Sequence, residues 1–237
     1  VTRRSLLIAG GAAAFVLGLP RLLRFAAPLP AAAPVPGLPG FARIELGEIS
    51  LPPALAGIGG TAGHAAPGLR QDLEAALFGP VRPGTVPVAV FTDVNCPNCR
   101  QISPQLLDWA RNRTERVTVA WHELPLLGPT SESAARAALA AGLQGAYLEV
   151  HERLMQSRFR PSPAYLRDFA AAAGIDAAQM AAQMEGPEVE AALDRARGLA
   201  RLFAIPGTPT LAIGRTLVIG APGGAQMERL LRRAAAA

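Results

Sequence analysis

Residues 85–124 read TVPVAVFTDVNCPNCRQISPQLLDWARNRTERVTVAWHEL, and the order of patterns within them decides the fold. TVPVAVFTD (85–93) is a β-rich apolar run, the pattern of a strand buried on both faces. CPNCRQISPQLLDWARN (96–112) has helical spacing, with Pro97 at the first helical position, where its missing N–H costs nothing. RVTVAWHEL (116–124) is a second strand. A strand, a helix and a strand within about 40 residues form a βαβ unit, which requires the two strands to be parallel.

A long helical region follows. Thr130 or Ser131 is placed to cap one helical run, ESAARAALAAGLQGAYLEVHERLMQS. Ser162 and Pro163 open AYLRDFAAAAG, which Gly174 stops. Asp176 and Gln179 have capping-box spacing before the next helix, and PEVEAALDRARGLARLF continues the run. IPGTPTLAI and TLVIGA then read as short strands around a Gly214-Arg215 turn, and GGAQMERLLRRA closes with a helix. Upstream, residues 26–40 form a Pro/Ala linker read as extended or disordered. FARIELGEIS (41–50) alternates enough for a short strand, and LRQDLEAALFG (69–79) suits a short helix. GIGGTAG (57–63) follows no clear strand and precedes no clear helix, so it reads as loop rather than phosphate cradle.

The net charge of +5 says little about partners. Arg3, Arg4, Arg21 and Arg24 stand in a segment free of acids, and the rest of the chain is close to neutral. A nucleic-acid binder would carry that charge as a basic face of the folded domain, so nucleic acid is not expected as a partner. TRRSLLIAGGAAAFVLGL instead has the arginine pair and apolar run of an export signal, similar to twin-arginine signals. The expected organisation is a signal or membrane anchor over 1–33, an extension over 34–80, and a folded domain over 81–237. The expected location is periplasmic or otherwise extracytoplasmic.

Outside the cytoplasm a disulfide persists, which changes the meaning of Cys96 and Cys99, the two cysteines of the chain. The loop they would close is too small to restrict the unfolded chain much. Zinc needs about four ligands. The chain adds only three scattered histidines, His64, His122 and His151, of which His122 is the best placed. Redox chemistry fits better. Cys96 falls where a buried strand meets a helix N-terminus, whose free N–H groups and dipole favour a thiolate. Cys99, one turn further in, can resolve a mixed disulfide formed at Cys96. Pro104 lies inside the helix, where it should bend the axis. Pro209 in GTPT (207–210) suits a cis bond at a strand start, presenting the backbone of Thr208 to an extended substrate. Asp93 and Glu123 are candidate proton carriers, with a turn cap and a solvated charge as their plainer readings. Met155 and Phe159 are candidates for an apolar groove or for core.

FTDVNCPNC, Pro104, the long helical region and GTPTL resemble the thioredoxin superfamily, and within it the DsbA-like exported thiol oxidoreductases. The resemblance covers about residues 85–237. It implies an α/β fold: a thioredoxin-like core, with a central mixed sheet flanked by helices and an all-helical insert at about 129–203. It implies that Cys96–Cys99 is a redox-active disulfide needing no other cofactor and no metal. Pro97, Asn98, Thr208 and Pro209 would then face the substrate. The implied partners are extended client proteins and a membrane protein that recycles the disulfide, and the implied state is a monomer. CPNC departs from the Pro-His pair of the best-known members, and these middle residues tune the thiolate. The direction of electron flow therefore stays open, between an oxidant and a reductase or isomerase. A metal-binding chaperone stands as the alternative of another class.

Overall fold

The computed structural model describes residues 29–51, 67–157, 165, 169–170 and 172–236. The signal-like segment before residue 29, His64, GIGGTAG, Phe159 and the Ser162-Pro163 helix start lie outside them.

Six strands form one mixed sheet. In chain order they are β1 (Ala33–Pro34), β2 (Ala42–Glu45), β3 (Val86–Thr92), β4 (Val117–Glu123), β5 (Thr210–Ile213) and β6 (Thr216–Ile219). Their spatial order is β1-β2-β6-β5-β3-β4. β3 and β4 pair in parallel from Val86↔Val117 to Thr92↔Glu123, as the βαβ pattern requires. β5 runs antiparallel to both β3 and β6, and the hairpin turns at Gly214, whose φ is 53°. All of β3 except Pro87 is buried, matching its unbroken apolar run.

Eight helices lie within the described residues: α1 (Pro67–Gln71), α2 (Leu73–Phe78), α3 (Pro97–Asn112), α4 (Pro129–Leu143), α5 (Tyr147–Gln156), α6 (Ala177–Met184), α7 (Pro187–Leu202) and α8 (Gly224–Ala235). Alternation along β3 separates two cores. Val86, Val88 and Val90 pack with Ile102, Leu106 and Trp109 of α3 and with Met227, Leu230 and Leu231 of α8. Ala89 and Phe91 face the other way, toward Leu77 and Phe78 of α2 and Leu199 and Leu202 of α7. A third cluster is built mainly from alanines of α4, with Val150 and Leu154 of α5, Met180 of α6, and Val189 and Leu193 of α7. α4 to α7 all lie between β4 and β5, which is the inserted helical region.

Three local readings differ from the structure. The single run expected after Ser131 is two helices, because the chain turns at Gly145 with φ 81°. The cap of α4 is Gly128 rather than Thr130 or Ser131, whose side chains are bonded elsewhere. The stretch read as linker is bound into the sheet edge: Ala33 and Pro34 pair with β2, and Val35 and Leu38 are buried. Its prolines fit a two-residue edge strand, where few ladder donors are needed. β2 falls within the expected 41–50 and pairs in parallel with β6. The cap expected of Asp176 is present: its carboxylate accepts from the N–H groups of Ala178 and Gln179. The reciprocal bond comes from Gln144 of the distant α4 end, not from Gln179.

Candidate active site

Cys96 is the N-cap of α3, with φ −76° and ψ 117°, and its sulfur accepts the N–H of Cys99 at 3.3 Å. Pro97 follows at N1 and is exposed; Asn98 is half-buried. A strand end delivers Cys96 here because Asp93 closes the turn, with the Cys96 N–H donating to the Asp93 carbonyl at 3.0 Å. Both cysteines are free thiols, with exposures of 0 % for Cys96 and 1 % for Cys99.

The loop opposite arrives from the other end of the chain. Thr208-Pro209 is cis, as expected, and both residues are buried. The Cys96 thiol donates to the Thr208 carbonyl at 3.3 Å and lies 3.2 Å from the Ser50 hydroxyl. Ser50 carried no reading in the sequence. It pairs with Thr208 as an antiparallel bridge, Ser50 N–H to Thr208 O at 2.7 Å and Thr208 N–H to Ser50 O at 3.1 Å.

These surroundings drive the two thiols apart. The neighbouring Cys99 thiol is the largest influence pulling Cys96 from its usual 9.0 down to about 6; the Ser50 hydroxyl, Thr208 and the Cys99 N–H add to it against the cost of burial. Burial comes first for Cys99, and together with the adjacent Cys96 it pushes that thiol far above its usual range. The Asp93 N–H and Thr92 hydroxyl offset this only in part.

The two candidate carboxylates are both buried, at 1 % exposure each, so the solvated reading of Glu123 does not hold. Asp93 is fully committed. Its Oδ1 accepts from the Asn95 N–H at 2.8 Å and the Ser131 hydroxyl at 2.7 Å, and its Oδ2 from the N–H groups of Leu126 at 2.7 Å and Leu127 at 3.0 Å. Asn95 adds side-chain bonds to Thr130 at 2.9 Å and Ser131 at 3.0 Å. Arg100 of α3 donates to the Val94 carbonyl at 2.8 Å and the Ser157 carbonyl at 2.6 Å, tying the cysteine turn to the end of α5. These bonds explain why Thr130 and Ser131 do not cap α4: they hold the cysteine turn instead.

Glu123 takes a different environment. Its Oε1 accepts from the Tyr147 hydroxyl at 2.6 Å and lies 3.0 Å from His151 Nδ1, while its Oε2 has no partner among the described residues. Burial raises the Tyr147 phenol well above its ordinary 10.0, and the Glu123 carboxylate adds to the rise. Glu123 is the cross-strand neighbour of Thr92, whose hydroxyl serves Cys99. His122, the best-placed histidine for a metal, stacks on Phe91 with ring centroids 4.8 Å apart. Its Nε2 lies 2.8 Å from the Leu77 carbonyl, and burial lowers its pKa to about 4. Among the described residues no three His, Cys, Asp or Glu side chains gather as a metal group. Met155 is buried in the cluster that also holds both cysteines, so it is core rather than groove.

Known proteins resemble this chain in structure or in sequence. A thioredoxin-like oxidoreductase from Silicibacter pomeroyi superposes with a TM-score of 0.58 at 33% identity, covering 69% of this chain and 98% of that one. A Thiol:disulfide interchange protein DsbA from Bordetella parapertussis is 27% identical over 141 residues, 56% of this chain and 65% of that protein. The Na(+)/H(+) antiporter NhaA 3 of Salinispora tropica is 30% identical over 134 residues, 56% of this chain. The chain thus spans only 20% of the antiporter's length. Residues 87–233, which carry the strand before the cysteines, the pair itself, the helical insert and the cis-proline hairpin, match the DSBA-like thioredoxin domain, and the chain belongs to that family.

Proposed function

We propose that the chain is an extracytoplasmic protein thiol–disulfide oxidoreductase acting as an oxidant, with Cys96, the nucleophile of the reduced pair, as the sulfur that a client attacks in the disulfide. The observation that carries this reading is the opposed ionisation of one pair, Cys96 lowered to about 6 and Cys99 raised, beside the Thr208 backbone. A stabilised thiolate favours the reduced pair and is a good leaving group, which makes the disulfide a strong oxidant. The arginine pair and apolar run of TRRSLLIAGG support export. Among the described residues no helix is long and apolar enough to cross a membrane.

In the reaction, a client thiolate attacks Cys96 of the Cys96–Cys99 disulfide. The S–S bond breaks and Cys99 leaves with the electron pair. Its raised pKa lets it take up a proton at once, so the step does not reverse easily. A second client thiolate then attacks the client sulfur of the mixed disulfide, and Cys96 departs as the thiolate that the α3 N-terminus stabilises. The client loses two electrons and two protons to the pair. A membrane partner that removes them would restore the disulfide. Glu123 is assigned as the proton carrier for Cys99, supported by its unpartnered Oε2 and its place beside Thr92. Asp93, with all its acceptor positions in use, is assigned to positioning the turn.

The test is client capture. Reduced Cys99→Ser should capture an unfolded client that carries a disulfide: Cys96 attacks it, one client thiolate leaves, and the mixed disulfide persists because no Cys99 thiol resolves it, whereas Cys96→Ser should not. Equal capture by both variants, or by neither, overturns the assignment.

A further inference from the structure

The antiparallel bridge at Thr208 completes a two-bond ring with the backbone of Ser50, and the Ser50 hydroxyl sits 3.2 Å from the Cys96 sulfur. An extended peptide that adds to this edge would need the same N–H and C=O of Thr208, and its reacting sulfur would need the place that this oxygen holds. The contact is close. A Cβ on Gly207 would fall 2.3 Å from the Ser50 carbonyl oxygen and 3.3 Å from Leu51 Cδ2. The segment is also anchored behind: the Leu46 N–H donates to Ile219 O at 2.8 Å, and Ile49 packs on the cluster of Phe91 and Phe203. With it in place, Cys96 is 0 % exposed, although the adjacent Pro97 reaches solvent.

We propose that Ile49–Leu51 is a displaceable strap that holds the client's strand position at Thr208, with the Ser50 hydroxyl in the seat of the client sulfur. This rests on the exchange reaction proposed above. The fitting client is an extended chain running antiparallel to Thr208, with its cysteine at the Ser50 position and an apolar residue next, where Leu51 lies over Gly207. Such a client enters by exchanging its own two backbone bonds for those of the strap, so the observed rate scales with the fraction of molecules whose strap is released.

Two variants of the full chain test this. In Ser50→Cys combined with Cys99→Ser, oxidised glutathione should link position 50 to Cys96. The two thiols lose two electrons and two protons, and two reduced glutathiones form. The linked peptides are read by mass spectrometry, and failure to link overturns the strap. Ser50→Pro removes the N–H donated to Thr208, a net loss of roughly one hydrogen bond, so reduced protein should exchange with a cysteine-peptide disulfide about fivefold faster than a Ser50→Ala reference, which lacks the same hydroxyl but keeps the N–H. A reference as fast as Ser50→Pro overturns the strap and leaves the exchange reaction standing. Inertness of wild type and variant alike overturns the exchange reaction itself, and the strap's competition with clients falls with it.

Discussion

Acidifying the reduced protein should remove a defined share of its stability, and that share can be worked from Cys96 alone. The thiol's ordinary value is 9.0 and its folded value about 6. A depressed pKa stabilises the folded state above the unfolded value, and this stabilisation is lost as pH falls through the folded value. The window therefore runs from 9.0 down to about 6. Each unit of separation between ambient pH and the folded pKa, up to the unfolded value, contributes about 1.4 kcal/mol. At about pH 7.5 the contribution is roughly 2 kcal/mol, and at about pH 5 it is close to nothing. Cys99 does not offset it, because its thiol is raised above 9.0 and stays protonated throughout that range. The assay is urea unfolding of reduced wild type and reduced Cys96→Ser at those two pH values. Taking the difference between the proteins cancels the other titrating groups to first order. The wild-type advantage should shrink by roughly 2 kcal/mol between about pH 7.5 and about pH 5. A change below about 0.5 kcal/mol would show that Cys96 does not ionise near neutrality, and the case for an oxidant would fall with it.

Two further substitutions separate the carboxylates. Asp93→Ala leaves the Ser131 hydroxyl and the Asn95, Leu126 and Leu127 N–H groups without their acceptor. It should lower stability by about 3 kcal/mol or more in denaturant titration, and a loss under about 1 kcal/mol would refute the turn's dependence on it. Glu123→Gln keeps the shape and an acceptor for Tyr147, so stability should change by about 1 kcal/mol at most, while the pH profile of thiol exchange should shift. An unchanged profile would remove Glu123 from proton transfer.

The parts of this site that were legible in the sequence are those whose signal is local. Cys96 and Pro97 announce a helix start because the N-cap and N1 positions accept them. Pro209 after Thr208 announces its turn for a similar reason. The parts that were not legible depend on partners far along the chain. Asp93 reads as a cap or a relay, and its bond to the Asn95 N–H is local, yet its other three donors lie 33 to 38 positions away, and no spacing rule reaches that far. Glu123 reads as solvated because it is a charge at a strand end; α5 of the insert covers it with Tyr147 and His151. Ser50 stands 46 residues before Cys96, in a stretch whose composition carries no motif. The hydrophobic pattern fixes which face of a strand is buried, but not which distant polar group will meet it.

One helix limits how this architecture can be taken apart. α7 contributes Val189 and Leu193 to the cluster of the insert, and Leu199 and Leu202 to the cluster beneath the sheet. Its 16 residues make a rod about 24 Å long. The insert is therefore not a detachable module. Trimming the chain from α4 to α6 to leave a bare thioredoxin would strand the apolar first half of that rod in water. Heat or denaturant should meet one melting unit, not an outer shell that loosens ahead of an inner sheet. A hinge between the two would have to break inside a continuous helix.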